Sequence, residues 1–147
     1  MKIGICNDHR GVYLKNIIVE YLEHSGYEVV NYGSDVEESV DFPEYALKLG
    51  EGISKKRVNL GIAICGTGIG MSIALNKING VYCAKVGNIN EAILCKQHNN
   101  ANCIAFSADM DDELVKAIID KFITIPFSKE EKYIRRNKMI KSIEKNG

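Results

Sequence analysis

The sequence predicts an α/β fold, a three-layer α/β/α sandwich around a five-stranded, parallel, Rossmann-like sheet, with an extra C-terminal helix. Five short apolar runs alternate along the chain with segments in which apolar residues recur every three or four positions. Strand–helix units repeated in this way give parallel strands joined by right-handed crossovers. A length of 147 residues fits one domain, and we expect residues 1–147 to form it.

Each predicted strand is a short apolar run that is bounded by polar or glycine residues. The runs cover residues 2–6, 28–32, 59–65, 81–86 and 102–106. The first strand leads directly into Asn7-Asp8-His9-Arg10-Gly11, and the third leads into a glycine-rich run that begins at Gly66. Because ligands of such folds bind outside the carboxyl ends of the strands, both segments belong to the expected functional edge.

Helical spacing appears between the strands and after the last one. The helical segments cover residues 13–23, 44–53, 91–98 and 111–122, a short stretch after the glycine run, and a basic segment over 129–145. In the first, Leu14, Ile18 and Leu22 share one face, and Gly26 is expected to stop the helix. Pro43 suits the first turn of the second helix.

Composition narrows the class of protein. Nineteen basic residues balance nineteen acidic ones, which argues against a nucleic-acid binder, and the basic residues of the last segment fit a solvated helix face. Five cysteines without a CxxC or Cys/His cluster indicate free thiols in a reducing cytoplasm and no bound metal. No secretory signal or membrane span is recognisable.

The run Cys65-Gly66-Thr67-Gly68-Ile69-Gly70 is the most informative motif. It places the Cys65 thiol where a predicted strand ends and a predicted helix begins. Glycines at this position leave the neighbouring backbone N–H groups accessible to a ligand. A nucleotide site is opposed by Met71, which stands where the dinucleotide fingerprint needs glycine, and by the absence of a Walker Gly-Lys-Ser/Thr. A ligand loop is therefore favoured over a mere tight turn.

Two weaker polar motifs have structural alternatives. Asp8-His9 follows the first strand, and the alternative is an N-capping aspartate beside a surface histidine. His98-Asn99-Asn100-Ala101-Asn102 precedes the fifth strand. In the alternative interpretation, Asn99 or Asn100 is a helix C-cap and His98 interacts with the helix dipole.

Together these motifs resemble the type B ribose-5-phosphate isomerase family, which includes galactose-6-phosphate and allose-6-phosphate isomerases. The resemblance covers essentially the whole chain, and it is most specific around Cys65. The matching segments are Asp8-His9-x-Gly11, residues 40–46, residues 64–77 and residues 98–102.

The resemblance implies aldose–ketose isomerisation of a sugar phosphate through a cis-enediolate. Cys65 would be the base that moves a proton between carbons 1 and 2, and Asp8 would move protons between the sugar oxygens. His98 would open the furanose ring. The enediolate oxygen would be held by the amides of Gly66, Thr67, Gly68, Ile69 and Gly70, with the Thr67 hydroxyl as a further donor.

The resemblance also implies an assembly and a substrate. The His98–Asn99 segment would reach the site of a neighbouring subunit, so that the active unit is a homodimer, or a tetramer of paired dimers. Neither a metal nor an organic cofactor is expected. Ribose 5-phosphate to ribulose 5-phosphate is the expected reaction. The alternatives are galactose-6-phosphate or allose-6-phosphate isomerisation, or a sugar-phosphate-binding protein without catalysis.

Four positions depart from the usual family pattern. Phe42 replaces a tyrosine, Asp109 replaces an arginine, and Arg10 replaces a small apolar residue. Lys132 and Arg136 occupy the positions at which the family usually has a pair of arginines. We expect either a phosphate held by His9, Arg10, Lys132 and Arg136, or a different sugar. The alternative for Arg10 is an ordinary surface arginine.

Overall fold

The computed structural model describes residues 1–144, which form one five-stranded sheet with helices on both faces. The strands are β1 (Lys2–Asn7), β2 (Glu28–Asn31), β3 (Leu60–Cys65), β4 (Cys83–Lys85) and β5 (Cys103–Ser107). Every neighbouring pair is parallel, in the order β2-β1-β3-β5-β4. The predicted α/β sandwich is therefore confirmed.

Within residues 1–144, six α-helices surround the sheet. They are α1 (Val12–His24), α2 (Phe42–Ser54), α3 (Ile69–Leu75), α4 (Ile89–Asn99), α5 (Asp112–Thr124) and α6 (Glu131–Ser142). A short 3-10 turn (His9–Gly11) precedes α1 and was not predicted. The extra C-terminal helix is confirmed as α6, and the last predicted position, residue 145, lies outside the described residues. Among residues 1–144, no helix combines the length and apolar composition of a membrane span.

Two apolar layers enclose the sheet, and alternation along β3 assigns the thiol to one of them. Ile62 and Ile64 face the layer formed with α1, α4 and α5. Ala63 and Cys65 face the layer formed with α2 and α3. Side chains of successive strand residues point to opposite faces, so the sequence Ala-Ile-Cys at the end of β3 turns Cys65 toward α3.

The fourth strand is shorter than the predicted span of residues 81–86. The Tyr82 N–H donates to Asn102 Oδ1 at 2.8 Å, so a side chain replaces a strand partner there. The Asn76 side chain binds both the N–H and the carbonyl of Cys83, at 2.8 Å each. Amide side chains that bind the backbone at Tyr82 and Cys83 make the edge strand begin later than predicted, and apolar spacing does not reveal them.

A buried lysine ties the turn after β2 to the end of β1. The Lys15 ammonium is 1% exposed and donates to the Ser34 carbonyl at 2.8 Å and to Asp35 at 2.6 Å. The Asn7 side-chain amide donates to the same Ser34 carbonyl at 2.8 Å. The hydrogen bond from Lys15, followed by the one from Asn31, lowers the pKa of Asp35 below its usual value.

Replacing Lys15 with methionine should lower the free energy of unfolding by about 1–2 kcal/mol at neutral pH, because the hydrogen bonds of its ammonium to Asn31, Ser34 and Asp35 are lost. A carboxylate with a lowered folded pKa stabilises the fold above its unfolded pKa, and this stabilisation is lost as pH falls toward the folded pKa. The native protein should therefore lose stability below about pH 4 more steeply than Lys15→Met. Denaturant titrations at several pH values measure this difference.

The matched control is Lys2→Met, which removes an exposed ion pair between Lys2 on β1 and Glu28 on the neighbouring strand β2. It should leave both the stability and its pH dependence nearly unchanged. Equal acid sensitivity in native protein and Lys15→Met would show that the Lys15–Asp35 contact does not contribute.

Candidate active site

Asp8 begins the first loop at the carboxyl edge of the sheet. It is 7% exposed, and its Oδ1 accepts the Arg10 N–H at 3.0 Å, which caps the 3-10 turn. The N-cap alternative therefore describes a real contact. Within residues 1–144, Asp8 Oδ2 has no hydrogen-bond partner, so one carboxylate oxygen remains available for proton transfer.

Cys65 ends β3 and is only 5% exposed. The Gly68 N–H donates to its Sγ at 3.2 Å, an interaction that a thiolate accepts more strongly than a thiol. The loop is held against β5 because Ser107 Oγ donates to the Gly66 carbonyl and the Ala108 N–H donates to the Cys65 carbonyl, at 2.8 Å each. The thiol therefore sits in a fixed position.

The glycine loop, residues 66–70, approaches β5 so closely that one position admits only glycine. Gly68 has a φ of +84°, and a Cβ there would lie 2.7–2.9 Å from the backbone of Phe106. At Gly70, a Cβ would lie 2.7 Å from the Phe42 ring. The loop is therefore enclosed by β5 on one side and by the start of α2 on the other.

Several N–H groups of this loop have no acceptor in the protein. The expected donors at Gly68 and Ile69 are already used, by Cys65 Sγ and by Thr67 Oγ1 at 3.1 Å. Within residues 1–144, the N–H groups of Gly66, Thr67 and Gly70 have no partner. Three backbone donors next to a thiol form an arrangement that stabilises an oxyanion.

His9 is half-buried and connects the first loop to the segment before α2. Its Nδ1 accepts the Val40 N–H at 3.2 Å, so the neutral ring carries its proton on Nε2. The ring can therefore donate to an anion at the same edge of the sheet as Cys65. Phe42 supplies only an apolar ring here, without the hydroxyl that the resemblance would lead one to expect.

Arg10 and Asp109 form an ion pair at this edge. Arg10 Nη2 lies 3.2 Å from Asp109 Oδ2, and Arg10 Nη1 lies 3.0 Å from where a Cβ of Gly66 would stand. Two of the four departures from the family pattern thus contact each other. The Arg10 side chain is 52% exposed, as the alternative of an ordinary surface arginine expects, and its guanidinium lies beside the glycine loop.

His98 and Asn99 lie at the end of α4, beside α6. The His98 ring stacks on Tyr133 with centroids 4.5 Å apart, and the Asn137 side chain donates to the His98 carbonyl at 2.8 Å. Asn100, with a φ of +49°, is the C-cap that the alternative interpretation expected. Lys132 Nζ lies 5.0 Å from the centre of the Tyr133 ring, and Arg136 is exposed on the same helix.

The predicted site residues therefore form two groups at opposite edges of the sheet. Cys65 is level with Ser107 at the end of β5, whereas His98 precedes Cys103, where β5 begins. The five residues of β5 span roughly 13 Å. The first group contains Asp8, His9, Arg10, Cys65 and the residues Gly66, Thr67, Gly68, Ile69 and Gly70. The second contains His98, Asn99, Lys132 and Arg136.

Sequence analysis missed two residues that hold the site. Ser107 anchors Gly66, and its position at the polar end of the fifth apolar run could have revealed it by the same rule that identified Asp8. Tyr133 fixes the ring of His98, but its contact joins two helices that are distant in sequence. No local pattern indicates such a contact.

Three other cysteines, Cys6, Cys95 and Cys103, are buried thiols. Cys6 is fully buried, its Sγ lies 3.9 Å from Met71 Sδ, and burial raises the pKa of its thiol well above the usual value. Cys103 is equally buried, and Cys95 has a pKa raised to about 11 by burial. Within residues 1–144, no three His, Cys, Asp or Glu side chains come close enough together to hold a metal ion.

Comparisons with known proteins identify the family of the chain. Residues 3–140 match the model of a family described as Ribose/Galactose Isomerase. The Escherichia coli protein named ribose-5-phosphate isomerase B is 38% identical over 83% of each chain. The structure of the Clostridium thermocellum ribose-5-phosphate isomerase B superposes with a TM-score of 0.95, at 38% identity over 99% of each chain. The Mycoplasma genitalium enzyme, solved with bound ribulose 5-phosphate, has a TM-score of 0.91 at 35% identity, over 99% of this chain and 97% of the other.

Proposed function

The chain belongs to the ribose/galactose isomerase family, and we propose that it converts ribose 5-phosphate to ribulose 5-phosphate with Cys65 as the base. It is an aldose–ketose isomerase of sugar phosphates. The observation that carries the proposal is the nearly buried Cys65 thiol beside the unpaired N–H groups of Gly66, Thr67 and Gly70. We propose residues 1–147 as one isomerase domain.

The first step removes a proton from carbon 2 of the open-chain aldose. The Cys65 thiolate takes this proton, and the electrons of the C–H bond form a double bond between carbons 1 and 2. The charge that develops on the carbon 1 oxygen is stabilised by the N–H groups of the glycine loop and by the Thr67 hydroxyl. These donors are fixed before the substrate arrives, so little reorganisation is required.

In the second step, a proton is transferred to carbon 1. The Cys65 thiol donates it, the carbon 2 oxygen becomes the carbonyl, and the thiolate is regenerated. The proton of the carbon 2 hydroxyl moves to the carbon 1 oxygen through Asp8, whose Oδ2 is unpaired within residues 1–144. No atom is gained or lost, and no cofactor is needed in this sequence of steps.

Ring opening is the task we assign to His98, supplied by a second copy of the chain. His98 and Cys65 of one chain lie at opposite edges of the sheet, so they cannot act on one sugar unless two chains share a site. The stack on Tyr133 orients the imidazole, while both of its ring nitrogens lack a hydrogen-bond partner in residues 1–144. Asn99, Lys132 and Arg136 would enter the same shared site, as a homodimer or a tetramer of dimers.

Complementation between two inactive variants tests this assembly. Cys65→Ala and His98→Ala should each be strongly impaired on the furanose form of ribose 5-phosphate. Dissociated subunits of the two variants are mixed and allowed to reassociate at random. Each hybrid dimer then contains one complete site, so the mixture should have about a quarter of native activity. The kcat of the mixture is the measurement, and each variant taken alone through the same dissociation and reassociation is the control. A mixture no more active than the two variants separately would contradict a shared site.

The substrate alternatives are distinguished by a panel of aldose phosphates. A higher kcat/KM with ribose 5-phosphate than with galactose 6-phosphate or allose 6-phosphate supports the proposal. A higher value with a hexose phosphate identifies the alternative isomerase. Binding without turnover of any sugar would favour the non-catalytic binding protein. All five cysteines are free, which supports a reducing, cytoplasmic location.

A further inference from the structure

The ion pair of Arg10 and Asp109 spans the end of the central strand. Arg10 follows β1 and Asp109 follows β5, and β3 lies between these two strands in the sheet. The guanidinium therefore lies over the end of β3, where Nη1 is 3.0 Å from the Cβ position of Gly66. Gly66 is adjacent to Cys65, so the pair borders the site that binds the reacting carbons.

Stability does not explain this pair. The two side chains are 52% and 72% exposed, and an exposed ion pair contributes about 0–1 kcal/mol to folding. Asp109 is nevertheless well anchored, because its N–H donates to Ser107 Oγ at 3.1 Å and Ser107 Oγ donates to the Gly66 carbonyl. The backbone of the residue that holds Arg10 is thus tied to the glycine loop through Ser107.

The guanidinium keeps donors for a ligand. Asp109 accepts only from Nη2, at 3.2 and 3.4 Å. In the part of the chain that the structure describes, the N–H groups of Nη1 and Nε have no acceptor. A guanidinium with free, coplanar N–H groups matches the oxygens of a phosphomonoester, which it binds through paired charge-assisted hydrogen bonds.

We propose that Asp109 is a positioning residue that holds the Arg10 guanidinium over Gly66 to bind the substrate phosphate. This inference rests on the proposed function, because it names the group that recognises the non-reacting end of the same substrate. Asp109 has two opposed effects. It orients Arg10, which strengthens phosphate binding, and its own negative charge repels the phosphate. The orienting effect exists only while Arg10 is present.

A double-mutant cycle separates these effects. Arg10→Ala should raise the KM for ribose 5-phosphate and the inhibition constant of inorganic phosphate by tenfold or more, with kcat within about threefold of native. Asp109→Ala should raise both constants by about threefold. In the Arg10→Ala background, Asp109→Ala should instead lower both constants, because only the repulsion remains to be removed. Asp109→Glu keeps the carboxylate and should stay near the native constants.

The control pair is Lys2 and Glu28, which are similarly exposed and 3.3 Å apart at the other end of β1. Alanine at either position should leave both constants unchanged. The inference is overturned if Arg10→Ala leaves KM and phosphate inhibition unchanged. It is also overturned if Asp109→Ala acts in the same direction in both backgrounds.

A binding measurement keeps this test independent of turnover. Titration of the native protein and the four variants with inorganic phosphate, followed by ³¹P NMR, reports the Arg10-dependent affinity even if no sugar is converted. Phosphate binding that depends on Arg10, in a protein without isomerase activity, would refute the proposed function and keep the anion site. Isomerase activity with phosphate binding independent of Arg10 would keep the function and refute the inference.

Discussion

Replacing Cys65 with alanine is expected to lower kcat for ribose 5-phosphate isomerisation by at least about a thousandfold, because the proposed base is lost. KM should change little, since the loop N–H groups and Arg10 remain in place. Steady-state kinetics on the purified variant measure both constants. The free energy of unfolding should fall by only about 1 kcal/mol, because one small buried group is removed from the layer beneath α3.

Cys83→Ala is the matched control for the thiol. Cys83 is a half-buried cysteine on β4, a strand separated from β3 by β5. Its replacement should leave kcat within about threefold of native, in keeping with a position outside the catalytic group. If Cys65→Ala retains kcat within tenfold of native, another residue must remove the proton from carbon 2.

Replacing Gly68 with alanine is expected to have the second largest effect, on both folding and activity. At a φ of +84°, a side chain is strained, and the new Cβ would lie 2.7–2.9 Å from the backbone of Phe106. Strain of about 1 kcal/mol and overpacking of about 1–3 kcal/mol should add. The loop must shift to relieve the contact, so the N–H donors and the hydrogen bond to Cys65 move, and kcat should fall about a hundredfold.

Gly26→Ala separates strain from close packing. Gly26 has a φ of +91°, but nothing lies within 4 Å of its Cβ position. This variant should lose about 1 kcal/mol of unfolding free energy and no activity, because only the backbone conformation is penalised. Chemical denaturation and steady-state kinetics on both variants provide the comparison. Equal stability losses at the two positions would show that contact with β5 does not constrain the glycine loop.

Sequence patterns predicted the sheet for an identifiable reason, and they predicted one edge of it for Asp8 and Cys65. Parallel strands end at a common edge, so Asp8 after the first apolar run and Cys65 at the end of the third were expected there, and the order β1-β3 makes them neighbours. The predicted strand boundaries were less accurate where side chains form hydrogen bonds with the backbone. Asn102 replaces a strand partner at Tyr82, and no periodicity of apolar residues indicates this.

The contact between Arg10 and Asp109 was not predictable in the same way. Both positions were recognised as departures from the family pattern, and Arg10 was expected to offset the charge change at Asp109, but a contact between them was not predicted. The contact depends on the sheet order β1-β3-β5, which places the loop after β1 and the loop after β5 on either side of Cys65. Strand order is a property of the packed fold, and the sequence of a single strand–helix unit does not contain it.

Isomerisation in deuterium oxide tests the central claim, proton transfer by Cys65, most directly. A proton held on a thiol exchanges with solvent, so ribulose 5-phosphate formed by the native protein should carry solvent deuterium on carbon 1, detectable by NMR. Cys65→Ala should form neither the product nor the label. Product formed at the native rate by Cys65→Ala, with solvent deuterium on carbon 1, would contradict the account.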